Sequence, residues 1–387
     1  MSPLIRQRAV DARVWGEPPA SKRKEKAEHF AKQVRAAERA SSMGLVYEAH
    51  EDVLMLQMAP TYLRGYISTF GVFLLAVAVS WLWSIEEGLR SLAERMVNDG
   101  AAMTRLGLSA AEILVFLAAV FFGLRALRID LLSPTQIPLI LNRKTRKVYR
   151  VVQADPVLQG IGPLKLLRHW ASVFKPWPLI LIEYDWDCLE CEYYETTTLA
   201  GNVVKHYNYL QLYVRAEPGS EEVLGSFLLL SPMITHRGTA LQLWEHLRRF
   251  MEEGGPHLSP GDQPAPKLPR TPWAAVHASM SWLWPVVLLG FWWGGKAFVR
   301  EGVFEMPPME FLMSGAGQRI SLAETGAAFF CTLAVSFAFF NWIAHLIAPS
   351  LKLPEDILGG AGARLSREEL VRQGKLPLQE QAPANAP

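Results

Sequence analysis

Four long apolar runs constrain this chain more than any other feature of it. Residues 65–85 (GYISTFGVFLLAVAVSWLWSI) carry no charge, and residues 106–124 are interrupted only by Glu112. Residues 280–298 are rich in tryptophan and contain Lys296, and residues 327–347 hold Asn341 and His345. Each run approaches the roughly 20 apolar residues needed to cross a hydrocarbon layer. Trp81 and Trp83 stand near one end of the first run, where interfacial aromatics belong. The runs predict four transmembrane helices in two hairpins.

Lysine and arginine counts near the runs set the expected orientation. The segment before the first run, the stretch after the second and the tail after the fourth are rich in both residues, whereas the short loops at 86–105 and 300–324 are not. This pattern predicts a multi-pass protein of a bacterial inner membrane with cytoplasmic N- and C-termini. The first 26 residues lack an apolar core, so no secretory signal is expected. The expected organisation is a basic arm at 1–61, a membrane hairpin at 62–127, a cytosolic β-rich domain at 128–256, a proline-rich linker at 257–273, a second membrane hairpin at 274–348, and a partly disordered tail at 349–387.

The segment between the hairpins changes period. Residues 137–142, 147–153, 178–186, 189–199, 206–215 and 223–230 are short runs of strand character separated by turn residues. In HYNYLQLYVR, Leu210, Leu212 and Val214 alternate with Tyr209, Gln211 and Tyr213, the period of a half-buried strand. Residues 239–253 (TALQLWEHLRRFMEE) then place Leu241, Trp244, Leu247, Phe250 and Met251 on one helical stripe, stopped by Gly254 and Gly255. Strands in series followed by one amphipathic helix predict an antiparallel domain like a pleckstrin-homology barrel, capped by that helix. The fold class expected is therefore an α+β membrane protein. In the arm, residues 21–39 read as a solvated charged helix, and residues 45–58 as an extended segment adding a strand to the sheet.

Chemistry-bearing motifs are scarce. The chain has no G-x-S-x-G elbow, H-E-x-x-H pair or phosphate-cradling glycine loop. Cys188 and Cys191 form a C-x-x-C with no second pair at zinc spacing, so two reduced thiols are expected. Glu183, Asp185, Asp187, Glu190 and Glu192 are the densest carboxylates. The first three would share one strand face, as a solvated face or a cation site. His169 and His206 read as single packed or exposed side chains. A net charge of +2 on 387 residues argues against nucleic-acid binding. No catalytic residue, metal or cofactor is expected.

One stretch stands out for charge. Between two strands, residues 138–152 (PLILNRKTRKVYRVV) carry Arg143, Lys144, Arg146, Lys147 and Arg150. Near an anionic leaflet each such charge contributes on the order of 1 kcal/mol of attraction. These five are the candidate site for lipid headgroups or a protein partner, on a solvated turn that contributes little to the core.

IPLILNRKTRKVYRV, IEYDWDCLECEY and LWEHLRRFMEEG together resemble, across residues 45–258, the domain of unknown function 6708 family. There a P-I-x-F-N-R-x-x-R-K-V-Y-like hairpin precedes a W-E-x-I-R-x-[FY]-M-E-x-G-like helix; Leu141 stands here in place of a larger aromatic. The resemblance implies a membrane protein of Gram-negative bacteria, often encoded near type VI secretion genes and their toxic effectors. It supplies no catalytic residues. The functional expectation is a non-enzymatic binding protein, an immunity or accessory factor acting on an effector or another membrane protein. The alternatives are a lipid-sensing scaffold and a membrane enzyme using the carboxylates of residues 183–192.

Overall fold

The computed structural model describes residues 4–8, 28–58, 65–95, 102–134, 137–153, 178–200, 203–230, 236–280, 322–348, 351–358 and 360–375. They fall into two compact units. One comprises Met1–Ala59, Gln136–Lys267 and Ser350–Pro387, and the other Pro60–Thr135 and Leu268–Pro349.

The described residues of the first unit form ten strands: β1 (Leu4–Arg8), β2 (Glu28–Phe30), β3 (Val46–His50), β4 (Val53–Gln57), β5 (Pro138–Asn142), β6 (Lys147–Gln153), β7 (Leu179–Asp185), β8 (Leu189–Ala200), β9 (Val203–Arg215) and β10 (Val223–Leu230). These strands do not close into the expected barrel. They form a six-stranded sheet, β1-β7-β6-β5-β4-β3, and a separate four-stranded sheet, β10-β9-β8-β2. Between β7 and β8 the chain passes from the first sheet to the second at a 3-10 turn, Trp186–Cys188, whose Trp186 is fully buried. Residues 45–58 enter the first sheet as the antiparallel pair β3–β4, and β4 pairs in turn with β5.

Burial explains why β4 and β5 read as unbroken apolar runs. A strand covered on both faces has no polar side to alternate with. One face of the six-stranded sheet (Leu54, Leu56, Leu139, Leu141, Val148, Ile182, Tyr184) joins the inner face of the second sheet and a helix in the main core. The opposite face (Val53, Met55, Ile140, Tyr149, Val151, Leu181) lies under Ile357 and Ala361 of the C-terminal segment. In β9, Leu210, Leu212 and Val214 point into the main core, as their alternation predicts.

The helix is Arg237–Glu252, which buries Leu243, Trp244, Leu247, Phe250 and Met251. The expected charged helix over residues 21–39 is not formed in its described part. Glu28–Phe30 is strand β2, paired with β8, and turns follow from Ala31. Contacts with Arg237–Glu252 override local propensity: Glu245 accepts the Ala36 backbone N–H at 2.9 Å, and Arg248 donates to the Lys32 carbonyl at 3.3 Å.

His246, on the same helix, is 2 % exposed, and its Nδ1 lies 2.9 Å from Ser259 Oγ. Burial holds its pKa down to about 4 and lowers that of His257 as well. Both are depressed in the folded state, so the unfolded chain binds more protons below its ordinary value of about 6.5. Stability should therefore fall progressively from about pH 6.5 toward 4. Denaturant midpoints of the full chain at pH 7.5 and 5.5 measure this, and equal midpoints would contradict it.

The second unit contains helices Tyr66–Arg95, Ala102–Leu132, Pro272–Met280 and Leu322–Ile347. Here the expectation of four transmembrane helices is corrected. Among the described residues one stretch, Ala110–Leu132, is long and apolar enough to cross a membrane. It runs on through Arg125, Arg128 and Asp130 to Leu132, where sequence reading ended it at Leu124. The helices Tyr66–Arg95 and Leu322–Ile347 offer shorter apolar stretches, Tyr66–Val79 and Ala334–Ile347. Fourteen residues at a rise of about 1.5 Å each fall short of a ~30 Å hydrocarbon layer. All but the first residue of the run at 280–298 lies outside the described residues. Asp130 accepts the backbone N–H groups of Gly65 (3.0 Å) and Ser68 (2.7 Å), fixing the start of Tyr66–Arg95 against Ala102–Leu132. Gly65 has φ +89° and no room for a Cβ, which would lie 2.5 Å from the Phe337 carbonyl oxygen. Asn341 is fully buried at the same crossing.

Candidate functional site

The β5–β6 hairpin turns through residues 143–146, and its geometry decides what its charges do. Asn142 Oδ1 accepts the Thr145 N–H at 3.0 Å, closing the turn. Arg146 ends it in the left-handed region, φ +52°. A non-glycine residue there is strained by roughly 1–2 kcal/mol, so a glycine would be the relaxed choice. The arginine side chain is in use. Its guanidinium reaches Asp187 at 2.6 Å and Glu252 at 3.0 Å, while its carbonyl accepts the Trp186 N–H at 2.9 Å.

Arg143, Lys147 and Arg150 are also engaged. Arg143 donates to Asp52 at 2.8 Å and to the Glu51 carbonyl at 2.6 Å, and lies 5.2 Å from the centre of the Phe250 ring. Lys147 pairs with Glu183, and Arg150 lies 4.9 Å from the centre of the Phe227 ring. Lys144 is exposed beside Gly360. The turn is therefore held by ion pairs, contrary to the expectation of a solvated loop with little structural role. Changing Arg143, Lys144, Arg146 and Lys147 together to Gln should cost about 1–2 kcal/mol, with the exposed pairs discounted for solvent screening. Chemical denaturation of the full chain measures it, and an unchanged midpoint would mean these pairs are idle.

Arg146 draws three elements together around a cavity of about 460 Å³. Lys32, Arg146, Asp187, Glu190 and Glu252 line it, with Phe30 and the Pro218–Gly219 turn. Next to the lining residue Asp187, Trp186 is fully buried and stacks on Trp244 with ring centres 5.6 Å apart and planes at 26°. The Trp186 indole N–H donates to Glu252 at 2.6 Å. Lys32 donates to the Trp186 carbonyl, and its ammonium lies 5.2 Å from the centre of that ring. Burial pushes the Lys32 pKa down. The hydrogen bond from Arg146 holds the Asp187 carboxyl below its ordinary value. At Glu252 burial opposes ionisation, but Arg146 and Trp186 more than offset it, and that carboxyl is lowered too.

The carboxylate run does not assemble into one cluster. The 3-10 turn breaks the alternation, so Asp187 leaves the face it would share with Glu183 and turns to Arg146. Glu183 is held by Lys147 and Arg6, and Glu190 by Arg215. Among the described residues no group of three or more His, Cys, Asp or Glu side chains could hold a metal ion. Cys188 is partly exposed and Cys191 buried; both are free thiols with pKa values raised by burial. His169 lies outside the described residues.

Sequence reading missed Lys32, Trp186 and Glu252. Two of them were in view, since Trp186 and Glu252 fall inside IEYDWDCLECEY and LWEHLRRFMEEG. These two segments and the basic hairpin meet at the cavity. A family model, "Family of unknown function (DUF6708)", matches residues 116–362. The chain belongs to this family. The match starts within Ala102–Leu132 and ends past Ile357, so in this DUF6708 member it takes in both units. No curated protein and no solved structure matches the chain.

Proposed function

We propose that this DUF6708 protein is a non-enzymatic binding protein, attached to a membrane through its helical unit, that engages a partner at the Arg146–Asp187–Glu252 cavity. The observation that carries the reading is the state of the lining groups. Asp187 and Glu252 are held ionised by one guanidinium and one indole N–H, and a carboxylate lowered in this way is a poor general base near neutral pH. An open cavity lined by fixed charges suits recognition better than proton transfer. The pairing of Glu183 with Arg6 and Lys147 weighs against an enzyme using residues 183–192. Membrane attachment draws support from Ala110–Leu132 and from exposed Leu114, Phe122, Phe70 and Val79, a concentration of apolar surface that marks a partner or bilayer contact.

The partner we propose is a toxic effector of a type VI secretion system, or a protein handling one, with this chain as its immunity or accessory factor. That step rests on the family resemblance. The test is deletion of the gene and challenge with the effector encoded beside it. The intact gene should restore survival, and an Asp187→Ala/Glu252→Ala variant at equal abundance should not. Equal rescue by the variant would overturn the assignment of the cavity, and unaltered survival of the deletion strain would overturn the immunity role.

A further inference from the structure

Strand β1 forms one edge of the six-stranded sheet. Among the described residues every pairing in that sheet is antiparallel except one: β1 runs parallel to β7, from Leu4 opposite Leu179 to Arg8 opposite Glu183. β1 is five residues long and is separated from β2 by residues 9–27. Parallel ladders are slightly weaker per residue than antiparallel ones, and terminal edge segments open at the low end of the stability range.

Two side chains hold it. Leu4 packs on the cluster containing Leu179, Leu181, Tyr149 and Val151. Arg6 donates through Nε (3.0 Å) and an amino group (2.6 Å) to one oxygen of Glu183, pairs with Asp356, and lies 5.9 Å from the centre of the Tyr149 ring. The adjoining Ile5 is 43 % exposed. Two carboxylates and an aromatic face thus surround one guanidinium, and an apolar recess two residues earlier takes an aliphatic side chain. If β1 leaves, Glu183 still has Lys147 as counter-ion, so the empty edge retains a compensated charge and an intact β7.

We propose that the edge of β7 is a groove for an extended segment of another protein with an aliphatic residue two positions before an arginine, and that Leu4–Arg8 occupies it in cis as an exchangeable strand. Main-chain pairing to β7 supplies affinity and the arginine socket supplies selectivity, the usual division in strand addition. The in-cis strand sets the threshold an incoming segment must exceed.

The probe is a labelled synthetic peptide of residues 1–10, MSPLIRQRAV. The chain lacking residues 1–8 should bind it at least about tenfold more tightly than the intact chain does, and Glu in place of the arginine should weaken it by about ten- to a hundredfold, the scale of lost hydrogen bonds to a charged group. If the shortened chain fails to fold, an Arg6→Glu variant of the intact chain serves instead and should bind the peptide more tightly than the parent. In the intact chain, amides of residues 4–8 should exchange hydrogen faster than those of β5 and β6. Equal binding of the two peptides, no binding to a folded shortened chain, or exchange at 4–8 as slow as in β5 would each overturn the proposal. A dimer of the intact chain that the free peptide dissociates would overturn the assignment to another protein in favour of a second copy.

Discussion

Replacing Glu245 with alanine should lower the unfolding free energy of the full chain by about 3–5 kcal/mol. Glu245 is fully buried, and one carboxylate serves Arg248 (2.8 Å), Arg249 (2.6 Å) and the Ala36 backbone N–H (2.9 Å). Burial alone would raise its pKa, but these partners overcome that and hold it below the ordinary value. Removing it leaves Arg248, whose side chain is 5 % exposed, with the half-exposed Glu253 carboxylate (2.6 Å) as its remaining counter-ion, and the loss of the buried partner sets the size of the effect. A Glu245→Leu/Arg248→Met pair should recover most of it, because replacing both buried partners by apolar groups of similar volume is often neutral. Denaturant titration of the three chains reads both effects. A loss under 1 kcal/mol for alanine would mean that water reaches the pair. The carboxyl is depressed in the folded state, so its contribution is present above about pH 4.3, the ordinary value for glutamate, and is lost as pH falls through its folded value.

Trp186→Ala should cost about 3–5 kcal/mol, the range for truncating a buried tryptophan to alanine. The ring stacks on Trp244, donates to Glu252 and lies beneath the Lys32 ammonium. Trp186→Phe separates these roles. It keeps an aromatic face and removes the N–H to Glu252, so a loss of about 1–2 kcal/mol is expected, with Glu252 then hydrogen-bonded by Arg146 alone at this site. Equal losses for the two variants would assign the whole effect to the hydrogen bond and none to packing.

Local periodicity and turn chemistry determined much of the β-rich unit. The alternation of β9, the β5–β6 hairpin around Asn142–Arg146 and the amphipathic stripe of Arg237–Glu252 are each consequences of neighbours within one element, where side-chain direction follows from sequence spacing. Tertiary structure decided the rest. The partition into two sheets depends on which strands meet across the chain, such as β1 with β7 and β2 with β8, and nothing within five residues of Leu4 or three of Glu28 encodes a partner that distant. Residues 31–39 lost their helical propensity to Glu245 and Arg248, more than two hundred positions away. The basic hairpin was visible as charge alone. Asp52, the Glu183–Asp187 stretch and Glu252 come from three separate parts of the chain, and only folding brings them within ion-pair distance of Arg143, Arg146 and Lys147. Apolar runs show that a segment avoids water; where a helix starts is fixed by contacts such as Asp130 accepting the Gly65 and Ser68 N–H groups, which composition does not carry.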